Sequence, residues 1–175
     1  MDTNWLENIE PRFGNYIAGF TDGEGSFNVS LKNRNDYQGH WKITASFNIS
    51  QKDRVILAFI KKQFGCGTLR ERPDGVVYYE VTNIHSLQER VVPFFNKFGF
   101  LSANKKRNFS IWKKIVWLMY NQKHLQEGGF NEVIALRETL NEGHGRKRKY
   151  NLSDVLDSKE SSETIRRISQ EAGKI

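Results

Sequence analysis

Two acidic residues separated by one glycine, Asp22 and Glu24, close the run Ile17-Ala18-Gly19-Phe20-Thr21-Asp22-Gly23-Glu24-Gly25. A carboxylate at the end of a helix, beside carbonyls left without intrahelical partners, offers hard oxygen donors where the helix dipole is already negative. That is a seat for a divalent cation such as Mg²⁺, which takes one or two carboxylates and keeps water and phosphate oxygens elsewhere in its shell. Ala18, Gly19 and Gly23 leave one face of the preceding helix almost bare, so a second helix can approach to backbone contact with Ile17 and Phe20 at its flanks. Gly23 and Gly25 bracket Glu24 and predict that the helix stops there. Asp22 lies four residues after Ala18 and reads equally as a cap or orienting group, which leaves Glu24 as the stronger metal ligand.

The run resembles the signature of the LAGLIDADG homing endonucleases, with Glu24 where many members carry aspartate. The resemblance implies an αββαββα core of α+β class, and a motif helix that packs against a second copy of itself. One copy of the motif therefore implies a homodimer with Ile17, Ala18, Gly19 and Phe20 in its interface. It further implies two or three Mg²⁺ ions shared across the dimer, held by Glu24 and the Gly23 carbonyl, with Ca²⁺ supporting binding without cleavage. By the same resemblance Gln51 matches the glutamine that positions attacking water, and Lys105 the lysine near the scissile phosphate. Lys106 and Arg107 are close enough to substitute for Lys105. The implied catalytic set is Glu24, Gln51, Lys105 and Asp22, and no side-chain nucleophile is needed. Lys52 and Arg54 read as either phosphate contacts or solvated residues, because the family's basic residue in this segment falls where this chain has Val55.

Alternating periodicity supplies the elements that position these groups. Phe27, Val29 and Leu31 alternate with polar neighbours, and Trp41, Ile43, Ala45, Phe47 and Ile49 alternate with His40, Lys42, Thr44, Ser46, Asn48 and Ser50, the period of strands with one buried face. The residues between form a polar hairpin loop. Asp53 predicts a capped helix ended by Gly65. Two further strands flank Pro73-Asp74-Gly75. Ser86 with Glu89 predicts a capping box for a helix reaching about residue 98, kinked at Pro93. Helices over about 103–122 and 131–140 follow, with Phe109, Trp112 and Trp117 as core side chains, and a last one begins near Glu163 behind Ser161 or Ser162. The expected whole is a single domain over residues 1–175, with a core at about 13–122 and a helical extension over about 123–175. Its four-stranded antiparallel sheet forms a DNA-binding saddle, with helices on one face and the other face free.

Charge agrees with a nucleic-acid partner. The net +7 is concentrated in residues 101–150, which carry 11 basic and 4 acidic side chains against 12 and 11 in residues 1–100. Clusters at Lys105-Lys106-Arg107 and Arg146-Lys147-Arg148-Lys149 suit phosphate neutralisation, although the latter also has the form of a nuclear targeting signal. Sequence readout falls to outward side chains of the sheet: Asn28, Ser30, Lys32, Arg34, Asn35, Tyr37, Gln38, His40, Lys42, Thr44 and Asn48 from the first hairpin, with Arg70, Arg72, Tyr78 and Glu80 from the second. Two copies reading half-sites of about one helical turn each suggest a pseudo-palindrome of roughly 20 base pairs of double-stranded DNA.

The lone Cys66 in a Gly-Cys-Gly turn suits a reducing compartment, and neither a zinc-binding spacing nor a clustered histidine set is present. The absence of a long apolar run or signal-like start points to a protein that is neither secreted nor membrane-bound, in an organelle or a bacterial cytoplasm. An RNA maturase acting on intron RNA, or a catalytically inactive DNA-binding relative, is the alternative. A plain RNA-binding module is disfavoured, because it would place aromatic platforms on the open sheet face.

Overall fold

The computed structural model describes residues 4–34, 40–126, 128–141, 149–150 and 155. The chain folds as two compact units, Met1–Val29 with Ala45–Leu140, and Ser30–Thr44 with Asn141–Ile175. The expected final helix near Glu163, with Ser161 and Ser162, lies outside the described residues.

The first unit opens with helix α1 (Pro11–Glu24), which carries proline at its first position, where the missing N–H costs nothing. Its inward face is Gly14, Ile17, Ala18 and Thr21. Glu24 is its last residue, and the Gly25 N–H donates to the Thr21 carbonyl. A Cβ at Gly25 would lie 2.4 Å from Thr21 Cγ2 and 2.8 Å from its carbonyl oxygen, so only glycine lets the chain pass from helix to strand this tightly.

Four strands follow in the order β1-β2-β4-β3 across the sheet: β1 (Gly25–Asn33), β2 (Trp41–Gln51), β3 (Thr68–Glu71) and β4 (Val77–Val81). β4 pairs antiparallel with both β2 and β3, with Asn48 opposite Glu80 and Thr68 beyond it, and Ser50 opposite Tyr78 and Arg70 beyond it. Helix α2 (Arg54–Phe64) joins β2 to β3, capped by Asp53 accepting from the Val55 N–H and ended by Gly65 at φ 65.

The side of the sheet turned inward carries one aromatic cluster. Phe27, 1% exposed, meets Phe47 at 5.4 Å, Phe95 at 5.7 Å, Phe100 at 5.8 Å, Phe109 at 5.3 Å and Trp112 at 4.8 Å between centroids. Phe109 and Trp112 belong to the long helix α5 (Ala103–Tyr120), so the first residues of β1 are wedged directly against α5. Trp117 on the same helix is 49% exposed and not a core residue, because five residues after Trp112 the helix has turned it outward.

Between β4 and α5 the helix starts earlier than the Ser86–Glu89 pattern suggests. Asn83 is the cap, its side chain accepting from the Ser86 N–H, and α3 (Ile84–Ser86) runs into a π-helical turn at Leu87–Val91 before α4 (Val92–Phe98). Pro93 explains the turn: it has no N–H for the Glu89 carbonyl, and the Val92 N–H reaches back to Leu87 instead. A last helix, α6 (Gly129–Thr139), contributes Arg137, which is 5% exposed and donates through Nε to the Val29 carbonyl on the outer edge of β1.

In the second unit the Arg34 N–H donates to the His40 carbonyl, Ser30 Oγ reaches the Thr44 carbonyl, and Trp41 packs edge-on against Tyr150 at 4.8 Å. Leu31, Trp41 and Val155 are buried there, while Ser30, Lys32 and Arg34 are exposed.

Candidate nucleic-acid interface and metal-binding motif

At the end of α1 the two carboxylates have different surroundings. Asp22 accepts three hydrogen bonds: the Leu101 N–H at 3.1 Å and the Ser102 N–H at 2.9 Å on Oδ2, and the Ser102 hydroxyl at 2.5 Å on Oδ1. Burial pushes its pKa up, but the Ser102 and Leu101 bonds and the Lys105 charge outweigh that and hold the carboxyl below its ordinary value. Glu24 is exposed at the helix end. Asp22 thus ties the α1 end to the entrance of α5, and the two acids do not form a matched pair of metal ligands.

Ser102 is also the cap of α5, its Oγ accepting from the Lys105 N–H at 3.3 Å. The Lys105 ammonium returns across the gap to donate to the Gly25 carbonyl. Its pKa is lowered by burial, against the opposing pull of the Asp22 and Glu24 charges. No acidic side chain occupies the first turn of α5, which instead holds Lys105, with the exposed Lys106 and Arg107 next in line. Cations at a helix N-terminus oppose the dipole, so this arrangement costs helix stability and suits an anion docking beside these side chains.

Gln51 ends β2 half-buried, and its side-chain oxygen accepts from the Lys52 N–H at 2.8 Å. Lys52 and Arg54 are exposed, and Arg54 approaches Glu71 at 3.5 Å. Among the described residues no three His, Cys, Asp or Glu side chains converge on one point. The donor set is one free carboxylate with helix-end carbonyls such as that of Gly23. It fits a hard cation whose remaining positions are filled by oxygens from outside the chain, and does not fit zinc.

On the open face of the first unit, Asn48 and Glu80 share one row across the sheet, and Ser50, Tyr78 and Arg70 the next. Arg70 lies 3.5 Å from Glu80, and Arg72 contacts Asp74 at 3.1 Å and the Tyr78 hydroxyl. Asn28 donates to Ser26 Oγ at 3.0 Å. In the second unit Ser30, Lys32 and Arg34 are exposed, while His40, Lys42 and Thr44 are half-buried, with His40 at φ 61. Asn35, Tyr37, Gln38, Arg146, Lys147 and Arg148 lie outside the described residues.

The outward face of α1 corrects the expected interface. Ile17 and Ala18, 0% and 3% exposed, pack into the chain's own core, because helical spacing puts them with Gly14 and Thr21. Facing out are Gly19, Gly23, the half-buried Phe20 and Tyr16, which is 54% exposed and stacks on Phe20 at 6.3 Å. A Cβ at Gly19 or Gly23 would meet nothing within 4 Å. Sequence reasoning did not single out Ser102. The signal was a serine three residues ahead of a lysine at a helix start, but its partner is Asp22, distant in sequence.

Residues 17–116 match the family described as LAGLIDADG endonuclease. The chain belongs to this family. A probable intron-encoded endonuclease 2 of Neurospora crassa is 33% identical over 148 residues, 82% of this chain, and the chain spans only 32% of that relative's length. An archaeal intron-encoded homing endonuclease, I-Vdi141I, solved in complex with DNA, superposes with a TM-score of 0.80 at 33% identity, covering 87% of this chain and 98% of that one. The meganuclease I-SmaMI, bound to uncleaved DNA target in the presence of calcium ions, has a TM-score of 0.70 at 26% identity, over 79% of this chain and 47% of that one. Like them, this LAGLIDADG chain is an α+β protein built on a four-stranded antiparallel sheet. No helix among its described residues is long and apolar enough to cross a membrane.

Proposed function

We propose that this chain is a site-specific homing endonuclease that cuts both strands of a long pseudo-palindromic DNA duplex, as a homodimer and with Mg²⁺. The observation that carries the reading is the exposed Glu24 at the end of the motif helix, with Lys105 held against the very next residue, Gly25. DNA complexes of two relatives support the substrate class.

Glu24 and the Gly23 carbonyl would hold the cation, and a second copy would bring its own Glu24 to the same axis. The bound cation would supply charge at the scissile phosphate and make water a better nucleophile. Lys105 places an ammonium where negative charge grows on the phosphate, and its lowered pKa makes it a readier proton donor than a solvated lysine. Gln51 orients water from the end of β2. Lys106, Arg107, Lys52 and Arg54 contact the backbone, and the outward residues of each unit's strands read base edges. The uncovered strip of Tyr16, Gly19, Phe20 and Gly23 is the surface for the second copy. Organellar or microbial introns are the setting suggested by an intron-encoded relative.

Purified protein is incubated with a randomised duplex library in Mg²⁺ and in Ca²⁺, and the cut ends are sequenced. Discrete cutting at one two-fold-related site, in Mg²⁺ alone and absent in Glu24→Gln, is the expected result. Absence of cutting together with tight binding to structured intron RNA would replace this reading with that of a maturase. Gly19→Leu, whose Cβ would meet nothing within 4 Å among the described residues, tests this surface: a folded monomer without activity supports it, a fully active dimer moves the interface elsewhere, and a fully active monomer overturns the dimer.

A further inference from the structure

We propose that Ser102 is a positioning residue of the cleavage reaction: with Asp22 it latches the first turn of α5 to the end of the motif helix and so fixes where Lys105 stands. This deepens the endonuclease reading and rests on it. A serine hydroxyl has one proton to give and lone pairs to accept with. Here both capacities are used, the proton toward Asp22 Oδ1 and a lone pair toward the Lys105 N–H. The Ser102 and Leu101 N–H groups add two further bonds to the same carboxylate. The Lys105 ammonium then closes a ring by donating to Gly25, adjacent to Glu24.

The ring runs Asp22, Ser102, Lys105, Gly25 and back through the chain, and its members come from segments joined by nothing covalent nearby. It matters at this turn in particular. Basic side chains oppose the helix dipole there and no acid of α5 relieves them, so the turn would fray without an outside acceptor. Asp22 is that acceptor. Its role is therefore exercised through Ser102 on Lys105, away from the metal.

The test uses the whole chain on its cognate duplex, with single-turnover cleavage in Mg²⁺ at saturating protein and binding measured in Ca²⁺. Ser102→Ala lowers cleavage about 10- to 100-fold, the range expected for a catalytic group misplaced by an ångström, while binding stays within about threefold. Ser102→Thr, which keeps both the proton and the lone pairs, restores cleavage. Ser102→Asp keeps an acceptor for the Lys105 N–H but cannot donate and repels Asp22, so it fails like Ser102→Ala.

The decisive measurement is the double variant: in a Lys105→Ala background Ser102→Ala has no further effect, because its action passes through that lysine. Multiplying losses, or a fully active Ser102→Asp, would overturn the proposal, and the threonine and aspartate variants decide it even if Ser102→Ala does not fold. Wild type and Lys105→Ala are measured first. A wild type that cuts nothing removes the endonuclease reading and this inference together. An active wild type and an impaired Lys105→Ala beside an unimpaired Ser102→Ala remove this inference alone.

Discussion

The entrance of α5 and the β3–β4 hairpin both set basic side chains beside acidic ones, yet they are held in different ways. At α5 the acid bonds to two backbone N–H groups and a hydroxyl of the fold, three bonds on one carboxylate, and the lysine is left with a carbonyl partner. On the hairpin, the exposed Arg70 meets the half-buried Glu80, and nearby the exposed Arg54 and Glu71 meet, all through long contacts. Such pairs contribute about 0–1 kcal/mol, so a guanidinium can leave its carboxylate for a guanine edge or a phosphate at little cost. One region is fixed before the substrate arrives and the other holds its readers loosely in place. The difference teaches where chemistry and where recognition are built: fixed geometry serves the scissile bond, and exchangeable pairing serves sequences that must be sampled and rejected.

Glu24→Gln tests the fixed region most severely. Cleavage should fall by roughly a thousandfold or more while Ca²⁺-supported binding and melting temperature stay near wild type, since an exposed carboxylate contributes to the metal and not to the fold. A variant that cuts normally would move the metal seat elsewhere. Phe27→Ala attacks the wedge between β1 and α5, and should cost about 3–5 kcal/mol in denaturant unfolding, the usual range for a large buried aromatic. A loss below about 1 kcal/mol would mean that the aromatic cluster repacks and that the fixed region is less rigid than the contacts imply.

Arg70→Ala tests the exchangeable region. It should relax discrimination at one base position by about 1–3 kcal/mol without lowering the maximal cutting rate, measured as relative cleavage across a set of single-base target variants. A drop in rate on the best target would place Arg70 in the chemistry. The smallest effect belongs to pH. Asp22 has a folded pKa below its ordinary 3.8, so it stabilises the fold above that value and the stability is lost as pH falls through the folded pKa. Asp22→Asn should therefore flatten the acid side of the melting-temperature profile. Lys105 has the same pH slope, but as a cost to the fold at neutrality instead of a gain. Its folded pKa lies below the ordinary 10.5, so the folded state binds that proton less tightly and stability from this group rises as pH climbs toward 10.5. Lys105→Met should raise the melting temperature near neutrality while removing cleavage.

Much of this was legible in the residues. The strict alternation of β2 from Trp41 to Ile49 allows only one buried face, and the Gly23-Glu24-Gly25 ending of α1 follows from steric need at Gly25. Local signals also fixed α2, between Asp53 and Gly65. The sequence did not reveal which side of α1 turns inward. Small residues occur on both sides, and Gly14 reveals its place only against Phe98, where an added Cβ would collide with the ring. The π-helical turn needed the Pro93 kink to be read as a shift of partners for the Glu89 and Leu87 carbonyls. The latch at Ser102 was invisible for a plainer reason: its partner lies in another element, and no local spacing encodes that contact.

The empty space outside Gly19 and Gly23 has one more consequence. A saturation library of α1 scored only for soluble expression would accept bulky substitutions at these two positions, and alanine there would even favour the helix. The same library scored for cutting would reject them. Subtracting one map from the other would outline, residue by residue, whatever surface α1 meets outside its own chain.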